Sequence, residues 1–191
     1  MGGSKPTGAG KSSFELIDAD VFFGALNLTA GMTVLDLACG RGAYSLALSE
    51  RVNPNGTVFA VDLWEDGIAM LKQEAQSRGI QNIIARVANA GRRIPVEDGS
   101  IDLCMMCTVL HDFVLDGNVD DVLAETVRIL KPGGMLAINE FKKIEGPPGP
   151  PMTSRLSPAG VAMILSDYNF KKINQTDIGP YNYLIRFELY G

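Results

Sequence analysis

Apolar positions along the chain alternate between a helical and an extended rhythm. Over residues 13–26, Phe14, Ile17, Val21, Phe22 and Leu26 recur at helical spacing and predict a helix. Gly31 punctuates, and the apolar, β-branched run 32–37 (MTVLDL) predicts a buried strand. A glycine-rich turn leads into a helix near 42–52, with Leu46, Ala47 and Val52 among its apolar positions. The turn Asn53-Pro54-Asn55-Gly56 then leads into a second buried strand over 57–62 (TVFAVD). Residues 65–78 put Ile68, Leu71 and Ala75 on one helix face, and Gly79 sits where a helix-ending glycine belongs. Strands follow at 83–88 and 100–107. A helix over 118–130 carries Val119, Val122, Leu123 and Val127 as its buried stripe, and after the break Lys131-Pro132-Gly133-Gly134 a fifth strand spans 135–141.

The remainder changes texture. Gly146-Pro147-Pro148-Gly149-Pro150-Pro151 lacks the donors for helix or central strand and predicts a stiff loop. Ser157-Pro158 reads as an N-cap followed by proline at the first helical position, opening a helix to about residue 167. Runs 170–178 and 183–190, joined by Gly179-Pro180, predict a hairpin. Strands that are apolar throughout and separated by helices imply an α/β fold, a parallel sheet covered on both faces, with the hairpin as one antiparallel addition. In such a doubly wound sheet ligands bind outside the carboxyl ends of the strands, beside strand one.

Composition narrows the partners. A chain of 191 residues fits one domain. Its net charge of −5, with Lys and Arg clustered only in pairs such as Arg92-Arg93 and Lys171-Lys172, argues against nucleic acid and anionic membrane surfaces. No apolar run approaches a membrane span, the start has no secretory core, and Pro6 stands where a myristoylation signal needs Ser or Thr. Three cysteines make no disulfide framework, so a cytoplasmic location is expected. Residues 1–12 are glycine-rich and polar and are expected to form a flexible tail, leaving 13–191 as the domain.

The chemistry concentrates after the strands. Val34-Leu35-Asp36-Leu37-Ala38-Cys39-Gly40-Arg41-Gly42 runs from a strand into a tight turn of small residues that opens a helix. Small residues admit a ligand close to the backbone, and the helix N-terminus favours negative charge. Asp36 beside the turn suits a cationic ligand better than a pyrophosphate. Asp62 ends strand two, 22 residues beyond Gly40, where an acid accepts ribose hydroxyls, although it also suits a helix N-cap. Leu63 next to it can cover an adenine face, and Asn89-Ala90 after strand three can meet an adenine edge.

These segments, DLACGRG, VDL, VANAGRRIPVEDGSIDLCMMCTVLHDF and RILKPGGMLAINEF, resemble in order and spacing the class I S-adenosylmethionine-dependent methyltransferase family, in its UbiE-like small-molecule branch. The resemblance runs from about Val34 through Phe141. It implies a single-domain, Rossmann-like, mostly parallel seven-stranded sheet of order 3-2-1-4-5-7-6 with a C-terminal antiparallel hairpin. It implies S-adenosylmethionine as cofactor, S-adenosylhomocysteine as product and a small-molecule methyl acceptor. By the same resemblance Ala38, Gly40 and Gly42 form the methionine-side turn and Asp62 binds the ribose. Leu63 contacts adenine, Asn89 and Ala90 read its edge, and Cys107 with Thr108 flanks the methionyl group. Two positions depart from the family. Ala38 stands where glycine is usual, tolerable at negative φ, and Asn89 stands where aspartate is usual, still able to accept from an amino group.

His111, the one histidine, follows strand four beside Asp112 and is either a general base for the acceptor or a loop residue shaping the pocket. Alignment supplies much of the acceleration in an in-line displacement, so a base is optional. Gly8-Ala9-Gly10-Lys11-Ser12 resembles a phosphate loop, but Lys5 stands where its first glycine belongs and no strand precedes it, although Lys11 can close over the cofactor carboxylate. Cys104 and Cys107 form a CxxC inside a core strand, with no second pair to make a metal site, and Trp64 reads as partial core. An acceptor pocket is expected from residues 8–23, the loop after His111, segment 144–158, Tyr181 and Tyr183, with Phe14, Phe22, Phe23 and Met152 favouring an apolar or aromatic acceptor. Two alternatives stand: a nicotinamide-dependent oxidoreductase, whose glycine pattern Ala38-Gly40-Ala43 matches poorly, and a non-catalytic cofactor-binding protein. Whether two copies pair as a homodimer is open at this point.

Overall fold

The computed structural model describes residues 10–191. The extended runs become seven strands: β1 (Thr33–Leu37), β2 (Thr57–Asp62), β3 (Ile83–Val87), β4 (Ile101–Cys107), β5 (Leu130–Phe141), β6 (Phe170–Asp177) and β7 (Asn182–Leu189). The helices are α1 (Ala19–Leu26), α2 (Ala43–Arg51), α3 (Glu65–Ser77), α4 (Leu110–Leu115), α5 (Val119–Ile129) and α6 (Pro158–Ile164). All strands join one sheet in the order β3-β2-β1-β4-β5-β7-β6, parallel from β3 to β5 and antiparallel where β7 pairs with β5 and β6. This is the order and the terminal hairpin that the resemblance implied.

Alternation along the central strands divides the core between two faces. Leu35, Leu37, Cys104, Met106, Leu136 and Ile138 pack with residues of α4, α5 and α6. Val34, Val58, Leu103, Met105 and Ala137 pack on the opposite face with Phe22 and Phe23 of α1 and Tyr44 and Leu48 of α2. Ala60 and Ala85 extend that second face to Ile68 and Leu71 of α3. Cys104 and Cys107 point to opposite faces, and no cysteine is in a disulfide. Among the described residues no helix is long and apolar enough to cross a membrane.

Three stretches differ from expectation. The helix predicted from residue 13 breaks at Ile17, which is extended (φ −107°, ψ 156°), because the Asp18 amide donates to Ile178 O at 2.7 Å. A 3-10 turn (Phe14–Leu16) precedes the break, and Asp18 then caps α1 by accepting from the Val21 amide. The segment after strand four is not a loop but the six-residue helix α4, too short to show a stripe in the sequence. β5 begins at Leu130, with its register against β4 shifting between Ile101 and Leu103 around the Pro-Gly-Gly break. α6 ends at Ile164, three residues early.

Candidate functional site

β1 and β4 are neighbours, so the turns that follow them form facing walls. Between them lies a cleft of about 790 Å³ whose lining includes Asp36, Ala38, Gly40, Tyr44, Cys107 and Thr108, together with Lys11, Ser13 and Arg41. Two smaller hollows, about 320 and 260 Å³, sit by Gly79–Gln81 and hold no predicted site residue.

The glycine-rich turn is clasped from the neighbouring strand. Asp62 Oδ2 accepts from the Gly40 amide at 2.7 Å, while its Oδ1 accepts from the Trp64 amide at 2.7 Å. Each oxygen keeps a second lone pair. α3 presses on the same turn: a Cβ on Gly67 would lie 2.7 Å from Gly40 O, and one on Gly42 would overlap the Leu71 side chain. Gly42 therefore caps α2 and packs on α3 without lining the cleft.

Strain marks both walls. Ala38 has φ +59°, which corrects the expectation of negative φ, and Thr108 opposite has φ +54°. For a β-branched residue this conformation is a genuine outlier and stores energy at the cleft.

The floor holds a buried acid. Asp36 is 1% exposed and accepts from Ser45 Oγ at 2.6 Å. Burial pushes its carboxyl up to about 6, the nearby Asp62 charge adds to the rise, and the Ser45 hydrogen bond opposes it. Above that value the carboxylate is a desolvated anion. Burial likewise raises the Cys107 thiol, so it borders the cleft as a neutral group.

Ser13, the first residue of the expected domain, is buried. Its Oγ lies 2.9 Å from Tyr44 OH and 3.2 Å from Thr108 Oγ1, and Tyr44 OH accepts from Asn139 Nδ2 at 2.9 Å. Asn182 donates to Asn139 Oδ1 in turn. This chain ties the N-terminal wall to the ends of β4, β5 and β7. The tail expected over 1–12 and the phosphate-loop resemblance at Gly8 and Ala9 fall in part outside the described residues, whereas Gly10, Lys11 and Ser12 line the cleft.

His111 lies in α4, 5% exposed, and does not line the cleft. Its Nδ1 is 2.8 Å and 3.0 Å from the two Glu140 oxygens, its amide donates to Glu140 Oε1, and its Nε2 is 3.5 Å from Asp112 Oδ1. Burial alone would lower its value, but the hydrogen bond and charge of Glu140 and the Asp112 charge outweigh burial and raise it. Leu63 is 57% exposed beside the clasp. Asn89 Oδ1 accepts from the Gly91 amide, and Ala90 packs on the core edge. Asn118 stands beside Gly91, and its Oδ1 is buried without a hydrogen-bond partner among the described residues.

The aromatic residues expected to line an acceptor pocket are used elsewhere. Phe22 and Phe23 are core, Phe14 stacks edge-on against Tyr44 at 5.0 Å, and Tyr183 is buried with its OH donating to Leu156 O. Sequence reasoning missed Tyr44, Glu140, Asn118 and Gly67. Of these only Gly67, a lone glycine inside a helical pattern, carried a local signal.

The family model described as "Methyltransferase domain" matches residues 28–175. The demethylmenaquinone methyltransferase of Geobacillus kaustophilus is 34% identical over 113 residues, which are 58% of this chain and 45% of that protein. The demethylmenaquinone methyltransferase of Lactobacillus johnsonii is 29% identical over 126 residues, 66% of this chain and 50% of that one. The chain thus spans about half the length of the curated relatives it matches. The crystal structure of a SAM-dependent methyltransferase from Aquifex aeolicus superimposes with a TM-score of 0.85 at 28% identity, covering 93% of this chain and 92% of that one.

Proposed function

The chain belongs to the methyltransferase domain family, and we propose that it transfers a methyl group from S-adenosylmethionine to a small-molecule acceptor by in-line displacement, leaving S-adenosylhomocysteine. Residues 13–191 act as one domain in this reading. The observation that carries it is the cleft floor, where a buried acid, Asp36, lies beside a clasped turn at a helix N-terminus. A carboxylate and a set of backbone amides side by side fit the ammonium and carboxylate of a methionyl group.

The remaining residues fit the other parts of that molecule. Asp62 has lone pairs left for ribose hydroxyls, and exposed Leu63 offers an apolar cover for adenine. Asn89 and Ala90 supply an adenine edge site, Asn89 Oδ1 keeping a lone pair beyond its bond from the Gly91 amide. Cys107 and Thr108 flank the methionyl group from the β4 side. S-adenosylmethionine, when bound, supplies a methyl group activated on a sulfonium sulfur. Glu140 holds the His111 ring through Nδ1 behind the cleft, and alignment of the acceptor drives the displacement without a base lining the cleft. The relatives named for demethylmenaquinone favour a quinone-type aromatic acceptor. Three cysteines with no disulfide support a reducing compartment, the cytoplasm.

The family assignment leaves no role for a nicotinamide. Incubation with methyl-labelled S-adenosylmethionine and a panel of hydroquinones, phenols, thiols and amines tests the reading. Label transferred to an acceptor supports it, and tight binding of the donor with no transfer to any acceptor would support the non-catalytic alternative.

A further inference from the structure

Arg155 is 3% exposed and has no carboxylate among its hydrogen-bond partners. All five of its N–H donors are used on backbone carbonyls. Nε donates to Pro150 O (3.0 Å), Nη1 to Lys142 O (3.1 Å) and Ile144 O (2.7 Å), and Nη2 to Gly146 O (2.7 Å) and Pro148 O (2.9 Å). The acceptors fall on every second residue from 142 to 150. The chain leaving β5 therefore curls around the guanidinium with alternate carbonyls turned inward. Prolines at 147, 148, 150 and 151 have no amide to donate, so no ladder can hold this segment. The cation takes the place of secondary structure, and inward carbonyl dipoles compensate its charge.

Position gives this clamp a purpose. The segment departs directly from Glu140-Phe141, at the carboxyl edge of the sheet and one strand over from Thr108. The Arg155 guanidinium lies 5.8 Å from the Phe141 ring, and Gly149 (φ +106°) abuts that ring from the loop side. Ile144 and Met152 stay 39% and 37% exposed on the loop. Two exposed apolar side chains on a segment that leaves the carboxyl edge of the sheet, the edge on which the cleft opens, can serve as a recognition surface.

Resting on the methyl-transfer reading, we propose that Arg155 is a positioning residue that fixes residues 142–152 as the acceptor-side wall, and that Ile144 and Met152 on it recognise a planar aromatic acceptor. A lysine brings three donors as a point charge and cannot span five carbonyls, so charge alone does not substitute.

The test uses the full chain with Arg155→Lys, Arg155→Met and, on the intact clamp, the double variant Ile144→Ser/Met152→Ser. Three readouts separate the claims: S-adenosylhomocysteine titration, amide hydrogen exchange over 142–155, and binding of 1,4-dihydroxynaphthalene to the S-adenosylhomocysteine-loaded protein. In both Arg155 variants loop exchange should accelerate at least about tenfold, and probe affinity should fall at least about tenfold. S-adenosylhomocysteine affinity should stay within about twofold. The surface double variant should lose probe affinity with loop exchange unchanged, which keeps the claim testable if an Arg155 variant fails to fold. Unchanged loop exchange in the Arg155 variants would overturn the clamp. Unchanged probe affinity in the surface variant, or no binding of the probe by the wild type, would overturn the acceptor wall. Failure of the wild type to bind S-adenosylhomocysteine would instead overturn the methyl-transfer reading.

Discussion

The carboxylate of Asp62, the last residue of β2, and the amide of Gly40, in the turn after the adjacent β1, meet at 2.7 Å. This bond fixes how far the glycine-rich turn stands from the end of β2. α3 reinforces it, because Gly67 allows that helix to seat against Gly40 O. Gly67→Ala should push the turn out of place, costing at least about tenfold in S-adenosylhomocysteine affinity together with about 2 kcal/mol of stability. Titration and thermal melting of one sample measure both. An affinity equal to wild type would separate the helix contact from the site.

Ala38 makes the opposite case. A left-handed alanine costs about 1–2 kcal/mol, and the freer unfolded chain of a glycine returns about half of that. Ala38→Gly is expected to stabilise the protein by up to about 1 kcal/mol, seen as a rise in Tm. Gly42→Ala, at φ +76° and against Leu71, should destabilise by more than about 2 kcal/mol. If both changes moved the Tm the same way, backbone strain would not be what distinguishes these positions.

Asp36 sets stability against binding. Its folded value of about 6 lies above the ordinary 3.8, so the folded state holds the extra proton between those values. The stability from keeping it neutral is present below about pH 4 and is lost as pH rises through about 6. Asp36→Asn stays neutral throughout and can still accept from Ser45. At pH 8 it should be more stable than wild type by on the order of 2 kcal/mol, yet bind S-adenosylmethionine about 10–100-fold more weakly. Wild-type affinity should decline as pH falls below about 6, and the variant's should not. Melting curves and titrations at pH 5 and pH 8 decide it, and a wild-type affinity flat over that range would remove Asp36 from the site.

His111 is the single histidine of the chain, so its ring signals in an NMR titration need no assignment. Its raised value should appear as a midpoint above the usual 6.5 or so, and Glu140→Gln should move it down. The stabilisation from the charged pair is complete below the unfolded value and disappears as pH rises through the folded one. If His111 is the base, methyl transfer should rise with pH along the same midpoint and shift with it in Glu140→Gln. A ring that shifts while the pH–rate profile stays put would make the pair purely structural.

Much of this molecule was legible in its sequence because the central strands are buried on both faces and the turns are punctuated by glycine and proline. The turn after β1 and the acid after β2 could be read from residue type and spacing. Long-range partners could not. Glu140 sits 29 residues from His111 and Tyr44 sits 95 from Asn139, and only the sheet order brings each pair together. The six residues of α4 are too few to declare a period. The aromatic residues near the N-terminus read as pocket lining because apolarity does not say which of two apolar places a ring will fill, and the core claimed Phe22 and Phe23. Arg155 gave no signal, since its partners are carbonyls that every sequence possesses.

Binding of S-adenosylmethionine in the cleft over Asp36 and Gly40 is measured by calorimetric titration with S-adenosylmethionine, S-adenosylhomocysteine and NAD, on the wild type and on Asp62→Ala. Both adenosyl-sulfur ligands should bind at micromolar affinity, at least about tenfold more weakly in the variant, and NAD should not bind. Binding of NAD alone, or of none of the three, would contradict the assignment of S-adenosylmethionine to this cleft.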